Sequence, residues 1–145
     1  MANGASMKAE TDPITDDEWL IRLVWGNRLT NRVPVISPNA FEPRDTETEG
    51  ISFYRLACLN DPTDALIPIQ ELKRPRYAIV KIPVTVFREL NLSVQPDPSA
   101  DVPGHVVVPE INITGYKADK ARFTPIKLRL AEVASENIVR MPITS

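Results

Sequence analysis

The spacing of apolar residues in the middle of the chain predicts two β-strands. The stretch GISFYRLACL, residues 50–59, is largely apolar on both faces when its residues are assigned alternately to opposite sides. Such a stretch is typical of a central strand that is covered on both sides. The stretch YAIVKIPV, residues 77–84, places four aliphatic residues on one face and predicts a second strand.

Nearer the N-terminus, the segment ITDDEWLIRLVWG predicts a helix over residues 15–26. Thr15 and Glu18 match a capping box, in which each side chain accepts a hydrogen bond from the backbone N–H of the other residue. All but one of the residues from Trp19 to Trp25 are apolar. We therefore expect this helix to be covered on most of its sides.

The rest of the pattern predicts elements of both types. Two helices are expected over residues 84–92 and 124–134, and two strands over residues 105–113 and 137–143. The segment 124–134 fits a strand by its alternation and a helix by its composition, and we assign it to a helix because Ala, Leu and Glu favour that state. Asn91 suits a left-handed helix end.

Together these elements predict a small α+β domain with a mixed or antiparallel sheet of three to five short strands and about three helices. A chain of 145 residues suits one domain. We expect residues 1–13 to be a disordered lead-in and residues 14–145 to form the globular domain. The 14 prolines are spread along the chain and indicate short elements joined by stiff, proline-rich loops.

Charge and composition narrow the class of partner. The net charge of −2 gives no general attraction to nucleic acid or to an anionic membrane. No apolar run approaches the roughly 20 residues of a membrane-spanning helix. Since the N-terminus also lacks the apolar segment of a signal peptide, we expect a cytoplasmic protein with no membrane contact.

Missing motifs argue against most kinds of catalysis. One histidine and one cysteine cannot build a typical structural zinc site, and neither standard glycine-rich phosphate loop is present, so we expect no metal and no cofactor. The leading hypothesis is a non-enzymatic accessory or protein–protein interaction domain. Its partner would be another protein, in a hetero-complex or a homodimer, and Trp19 and Trp25 are candidate docking residues.

His105, the single histidine of the chain, is the first candidate for chemistry. A general base needs an orienting partner, and Glu110 points to the opposite face of a regular strand because it lies five residues away. Asp97 and Asp101 in the preceding loop could reach back to the imidazole. We favour a residue that opens a strand after the Pro-Gly turn, and keep ligand binding and catalysis as alternatives.

Arg55 is the second candidate, because it shares its strand face with apolar residues: Ile51, Phe53, Ala57 and Leu59. A buried arginine must be paired, and Glu110 and Asp64 are the expected partners. The alternative is an arginine in a cleft that grips a carboxylate or phosphate. If the protein is an enzyme, we expect a small hydrolase or transferase that uses His105 with Arg55, Tyr54 and Glu110.

The basic loop LKRPRY, residues 72–77, supports a third and weaker alternative. Arg74 and Arg76 could contact phosphates of a nucleic acid, although the loop lacks the interleaved aromatic residues of a stacking platform. A solvated loop is the favoured explanation of these charges. Nucleic-acid binding is therefore the least favoured of the three functions.

Overall fold

The computed structural model describes residues 7–98 and 102–143, and within them six strands form one antiparallel sheet. The strands are β1 (Trp19–Trp25), β2 (Ile51–Arg55), β3 (Tyr77–Pro83), β4 (Gln95–Pro96), β5 (His105–Val108) and β6 (Ile138–Arg140). Their order across the sheet is β4-β5-β2-β1-β3-β6. The sheet therefore has one strand more than the upper end of the expected range.

Helical segments also exceed the three that were expected. The described residues contain the α-helices α1 (Val84–Glu89), α2 (Ile113–Ala118) and α3 (Lys120–Glu136). They also contain 3-10 helices over Gly26–Arg28, Pro38–Phe41, Leu56–Cys58, Pro62–Leu66 and Glu71–Arg76. The small α+β domain is confirmed, with an antiparallel sheet.

The strand β1 corrects the helix expected over residues 15–26. Every residue from Trp19 to Trp25 pairs with a residue of β3, and part of β1 also pairs with β2. The residues of the expected capping box form a turn, in which the Thr15 N–H donates to Glu18 Oε2 at 2.9 Å. An apolar run suits a buried strand as well as a buried helix, and here neighbouring strands on both sides decide the outcome.

Apolar layers on both sides of the sheet account for the apolar character of β1. One layer joins the sheet to α1, α3 and the helix Pro38–Phe41, with Phe53 and Phe87 in edge contact at a centroid distance of 5.0 Å. The other layer joins Ile21 and Ile79 to the chain after β2. The sheet is thus buried on both faces, as a continuous apolar strand requires.

Several predicted elements are present with different first or last residues. α3 begins at Lys120, after the cap Asp119, and so starts before the expected segment 124–134. Asn91 adopts the left-handed conformation with φ of 59°, as expected. The strand expected over residues 50–59 ends at Arg55, where the 3-10 helix Leu56–Cys58 follows.

Arg55 is buried, with 1% of its surface exposed, and it holds the N-terminal segment against the sheet. Its Nε and Nη2 donate to the two carboxylate oxygens of Glu18 at 2.8 and 2.9 Å. Its remaining N–H groups donate to backbone oxygens of Glu10, Asp12 and Pro13. We call these groups the N-terminal clasp. All five N–H donors of the guanidinium have an acceptor.

The partner of Arg55 is therefore Glu18, and the expected partners lie elsewhere. Glu110 accepts hydrogen bonds from the backbone N–H and the hydroxyl of Ser93. Asp64 accepts a hydrogen bond from the Asp61 N–H. The disordered lead-in was expected over residues 1–13. Residues 1–6 lie outside the described part of the chain, and the backbone oxygens of residues 10, 12 and 13 accept hydrogen bonds from Arg55.

The electrostatics of the clasp favour the ion pair. Burial alone would raise the pKa of Glu18, but hydrogen bonds from Arg55, Thr15 and Lys8 outweigh it and hold the pKa below the ordinary value of 4.5. The hydrogen bonds that Arg55 donates to Glu18 raise the pKa of Arg55 against the opposing effect of burial. Both groups therefore stay charged when folded.

We predict that Glu18→Leu destabilises the fold by about 3–5 kcal/mol, because it leaves the Arg55 charge buried and unpaired. The double variant Glu18→Leu with Arg55→Met should recover part of this loss. Chemical denaturation of both variants measures the difference. The exposed ion pair of Arg88 and Asp16 is the matched control, since Asp16→Leu should cost less than about 1 kcal/mol. A single Glu18→Leu variant as stable as the control would refute the clasp as a major contribution.

Stability should fall in acid. The pKa of Glu18 is lowered in the folded state, so its contribution is complete above the ordinary value of 4.5 and is lost as pH falls through the lowered folded pKa. Denaturation midpoints measured from pH 7 to pH 3 test this. Glu18→Gln should flatten the profile, whereas Glu71→Gln, at an exposed residue, should leave it unchanged. Equal profiles for the two variants would contradict the assignment.

Candidate functional site

Two adjoining clefts open beside the centre of the sheet and share Arg22, Leu23 and Arg44 in their walls. The larger, the aromatic lobe, has a volume of 310 Å³ and is also lined by Trp25, Tyr77, Arg28, Asn27 and Asn39. The smaller, the histidine lobe, has a volume of 140 Å³ and is also lined by Ser52, Tyr54, His105, Ala65 and Ile69. We call the two lobes together the arginine cleft.

The cleft exists because the ladder between β1 and β2 is short. These strands pair only at Leu20 and Ile21 of β1, and beyond that point a side-chain ion pair fills the gap. Arg22 Nη1 donates to Ser52 O at 3.0 Å, and the Ser52 N–H donates to Glu47 Oε2 at 2.7 Å. The ion pair thus takes over hydrogen bonds that a continued ladder would supply.

Arg22 is nearly sealed in the protein, with 3% of its side chain exposed, and its donors are only partly used. Nε donates to Ala40 O at 2.9 Å, and Nη1 donates to Glu47 Oε2 and Ser52 O. No hydrogen bond joins Nη2 to any described residue, although Nη2 carries two of the five donors. This contrasts with the saturated guanidinium of Arg55.

The charge of Arg22 is balanced by Glu47. Burial alone would raise the pKa of Glu47, but the Arg22 cation and the N–H groups of Arg44 and Ser52 hold it below its ordinary value. Burial lowers the pKa of Arg22; Glu47 opposes this shift, and the nearby Arg44 cation adds to it. The Glu47 carboxylate therefore balances the charge of Arg22, and the Arg44 cation adds a second positive charge nearby.

The side chains of Arg28 and Arg44 form no salt bridge with an acid among the described residues. The Arg44 side chain makes one long hydrogen bond, from Nη2 to Leu23 O at 3.5 Å, and the Arg28 side chain makes none with the described residues, although its charge helps to lower the pKa of Glu42. Glu42, the acid that lines the aromatic lobe, accepts a hydrogen bond from Lys127 of α3 at 2.8 Å. The cleft is consequently a cationic patch on a protein of net charge −2.

An aromatic pair forms the far wall of the aromatic lobe. Trp25 and Tyr77 are paired across β1 and β3, and their rings meet edge to face at a centroid distance of 4.9 Å. The Arg76 guanidinium lies 5.8 Å from the Trp25 ring centroid. Trp19, at the other end of β1, lies under the Lys81 ammonium group instead. The structure thus separates the two candidate tryptophans and brings one of them into the cleft.

His105 opens β5 after Gly104, which has φ of 83° and leaves no room for a side chain against Cys58. His105 Nδ1 lies 2.8 Å from Asp97 O and 3.1 Å from Asp97 Oδ2. Because both contacts are acceptors, Nδ1 carries a proton. Of the two acids that the sequence offered as partners of His105, Asp97 makes the contact. Asp101 lies outside the described residues.

The candidate residues do not converge on one centre. Tyr54 lies beside His105, with ring centroids 5.2 Å apart, and both line the histidine lobe. Arg55 belongs to the N-terminal clasp and Glu110 binds Ser93, so neither lines the lobe. Arg74 donates to the backbone oxygens of residues 67 and 69.

Sequence reasoning missed Arg22, Arg28, Arg44 and Glu47. A signal for Arg22 was present, because it is the single charged residue in the apolar run from Trp19 to Trp25. Arg28 and Arg44 lie in chain without periodicity, where no pattern relates them to a strand.

Within residues 7–98 and 102–143, no group of three or more His, Cys, Asp or Glu side chains could hold a metal ion. In the same residues no helix has the length and apolar character to cross a membrane. Comparison with known protein families, with curated proteins and with solved structures finds no match. The arrangement of the cleft therefore carries the functional argument.

We predict that neutral His105 is the Nδ1-protonated tautomer, held by the two oxygens of Asp97. Nitrogen NMR of the labelled protein should show Nε2 as the unprotonated ring nitrogen. The variant Asp97→Ala keeps the backbone acceptor and should keep the tautomer. A ring with the proton on Nε2 would contradict the contacts of Nδ1.

Proposed function

We propose that the protein is a non-enzymatic protein-interaction domain, acting in the cytoplasm, whose arginine cleft binds an acidic, extended segment of a partner protein. The observation that carries this proposal is the presence of two arginines, Arg28 and Arg44, in a cleft whose acids already have basic partners. Carboxylates of a partner complement such a cluster, and arginine binds them with two parallel hydrogen bonds.

The shape of the cleft supports a segment of chain as the occupant. Two lobes joined along Leu23 offer more length than one side chain fills, and the 310 Å³ aromatic lobe is at the small end of the roughly 300–1,000 Å³ range of ligand pockets. Trp25 and Tyr77 are residue types that often dominate binding energy at interfaces. The polar side chains around them, Asn27 and Asn39, can hydrogen-bond to a peptide backbone.

A hydrolase or transferase that uses His105 is the second candidate function. The contact of Asp97 with Nδ1 favours it, because an oriented imidazole leaves Nε2 available as a base. Against it, Arg55 has no donor left for a substrate, and Glu110 is bound to Ser93. A turnover loss of roughly 10²–10⁴-fold on His105→Asn, in a folded variant, would establish this candidate.

Nucleic-acid binding receives less support. Arg74 is engaged by backbone oxygens, and Arg76 lies against Trp25. The remaining charge of the loop is small, since Glu71 precedes it. A phosphate-binding strip of several free cations is therefore not formed there.

The proposal predicts binding of a ten-residue peptide of alternating glutamate and alanine in the arginine cleft. Amide chemical-shift changes should map to the walls of the cleft, and Trp25 fluorescence should respond. Arg28→Glu and Arg44→Glu should each weaken binding by about tenfold or more, equivalent to roughly 1.4 kcal/mol. Raising the salt concentration should also weaken it.

The matched control is Arg32→Glu, which makes the same charge change at an exposed loop position outside the cleft. It should bind the peptide like the unaltered protein. Equal binding of the corresponding glutamine peptide, or equal losses for Arg32→Glu and Arg44→Glu, would refute the proposed cleft.

A further inference from the structure

We propose that the histidine lobe is a site for one phosphate group, carried on a side chain of the partner's acidic segment and bound by Arg22, Arg44 and His105. This deepens the proposed function and rests on it for the nature of the partner. The phosphate is assigned from the donors that line the lobe, from their charge and from its small volume.

Arg22 provides the first observation. Only 3% of its side chain is exposed, yet Nη2 has no acceptor among the described residues. The Nη2 atom is not fully buried, so a group in the cleft can reach it. A buried guanidinium with unmatched donors is costly unless an acceptor can reach them. An oxyanion in the lobe is such an acceptor.

The second observation is the excess positive charge at the shared wall. Arg22 and Arg44 both line the lobe, and Arg44 lies close enough to lower the pKa of Arg22, whereas the salt bridge of Glu47 is with Arg22. Two like charges near one another are unfavourable, and an anion bound between them removes the repulsion. Two arginines with one carboxylate leave this wall with one unbalanced positive charge. A phosphate monoester carries about −1.5 to −2 at neutral pH.

The third observation is the position of the other polar side chains in the lining. Ser52 and His105 belong to β2 and β5, whereas Arg22 belongs to β1. Groups contributed by three strands suit the three outer oxygens of a phosphate better than the two coplanar oxygens of a carboxylate. Asp97 fixes the ring through Nδ1, so His105 donates to the phosphate from Nε2 as the imidazolium ion, which carries a proton on both nitrogens.

Size and lining complete the argument. A volume of 140 Å³ admits a single compact group and excludes a folded segment of chain. Ala65, Pro68 and Ile69 contribute apolar surface to one wall of the lobe. The larger aromatic lobe remains free for the residues that flank the phosphate.

The test compares three ten-residue peptides that differ at one central residue: phosphoserine, glutamate and serine. The flanking residues alternate glutamate and alanine, and calorimetry measures each Kd. We expect the phosphoserine peptide to bind at least tenfold tighter than the glutamate peptide. Arg44→Gln should abolish most of this gain, and His105→Gln should reduce it several-fold. Arg32→Gln, exposed and outside the cleft, should leave the gain unchanged.

Arg44 is the primary variant because it is exposed and its replacement spares the fold, whereas Arg22→Gln also breaks the buried pair with Glu47. Equal affinity for the phosphoserine and glutamate peptides would overturn the phosphate site and leave the proposed function standing. Failure of all three peptides to bind would overturn both. Glycerol 3-phosphate, a free monoester, serves as the source control, and binding as tight as that of the phosphopeptide would overturn the assignment to a partner protein.

Discussion

The burial of two arginine–carboxylate pairs beside β1 is the constraint on which the rest of the structure depends. Arg55 with Glu18 and Arg22 with Glu47 lie almost entirely out of water. Removing these charges from solvent costs several kcal/mol for each ion, and the pairing with a carboxylate offsets that cost. The first pair ties the N-terminal segment to the sheet, and the second fills the gap where β1 and β2 separate. Losing one partner of either pair should therefore destabilise the region that the pair holds.

The two arginines differ in how many of their N–H donors are used within the chain. This difference is the reason for treating Arg55 as a structural residue and Arg22 as part of the proposed site. Arg55 donates all five of its N–H groups within the chain, which describes a structural residue and favours the internal ion pair over ligand binding. Arg22 keeps Nη2 unmatched beside the Arg44 cation. Burial and charge alone do not distinguish them, and only an accounting of donors and acceptors does.

The sequence predicted correctly those elements that depend on neighbouring residues. It predicted the wrong element where strand pairing with distant residues determines the structure. The alternation in β3 and the left-handed Asn91 are local features, and both were predicted. A capping box at Thr15 is local too, but the partners of β1 lie about 30 to 60 residues along the chain, and their pairing prevails over the local signal. Strand parity correctly placed Arg55 on a buried face. Its partner was missed because Glu18 had been assigned to the helix.

The same reasoning explains why the site lies where the ladder ends. A strand pair that continued past Ile21 would satisfy its own backbone groups and leave no opening between β1 and β2. Replacing the ladder with Arg22 and Glu47 keeps the backbone paired but introduces a guanidinium that the chain does not saturate. An anion bound there contacts groups anchored on both strands, so its binding energy adds to the stability of the fold. Ligand binding and the pairing of β1 with β2 are thus coupled through Arg22.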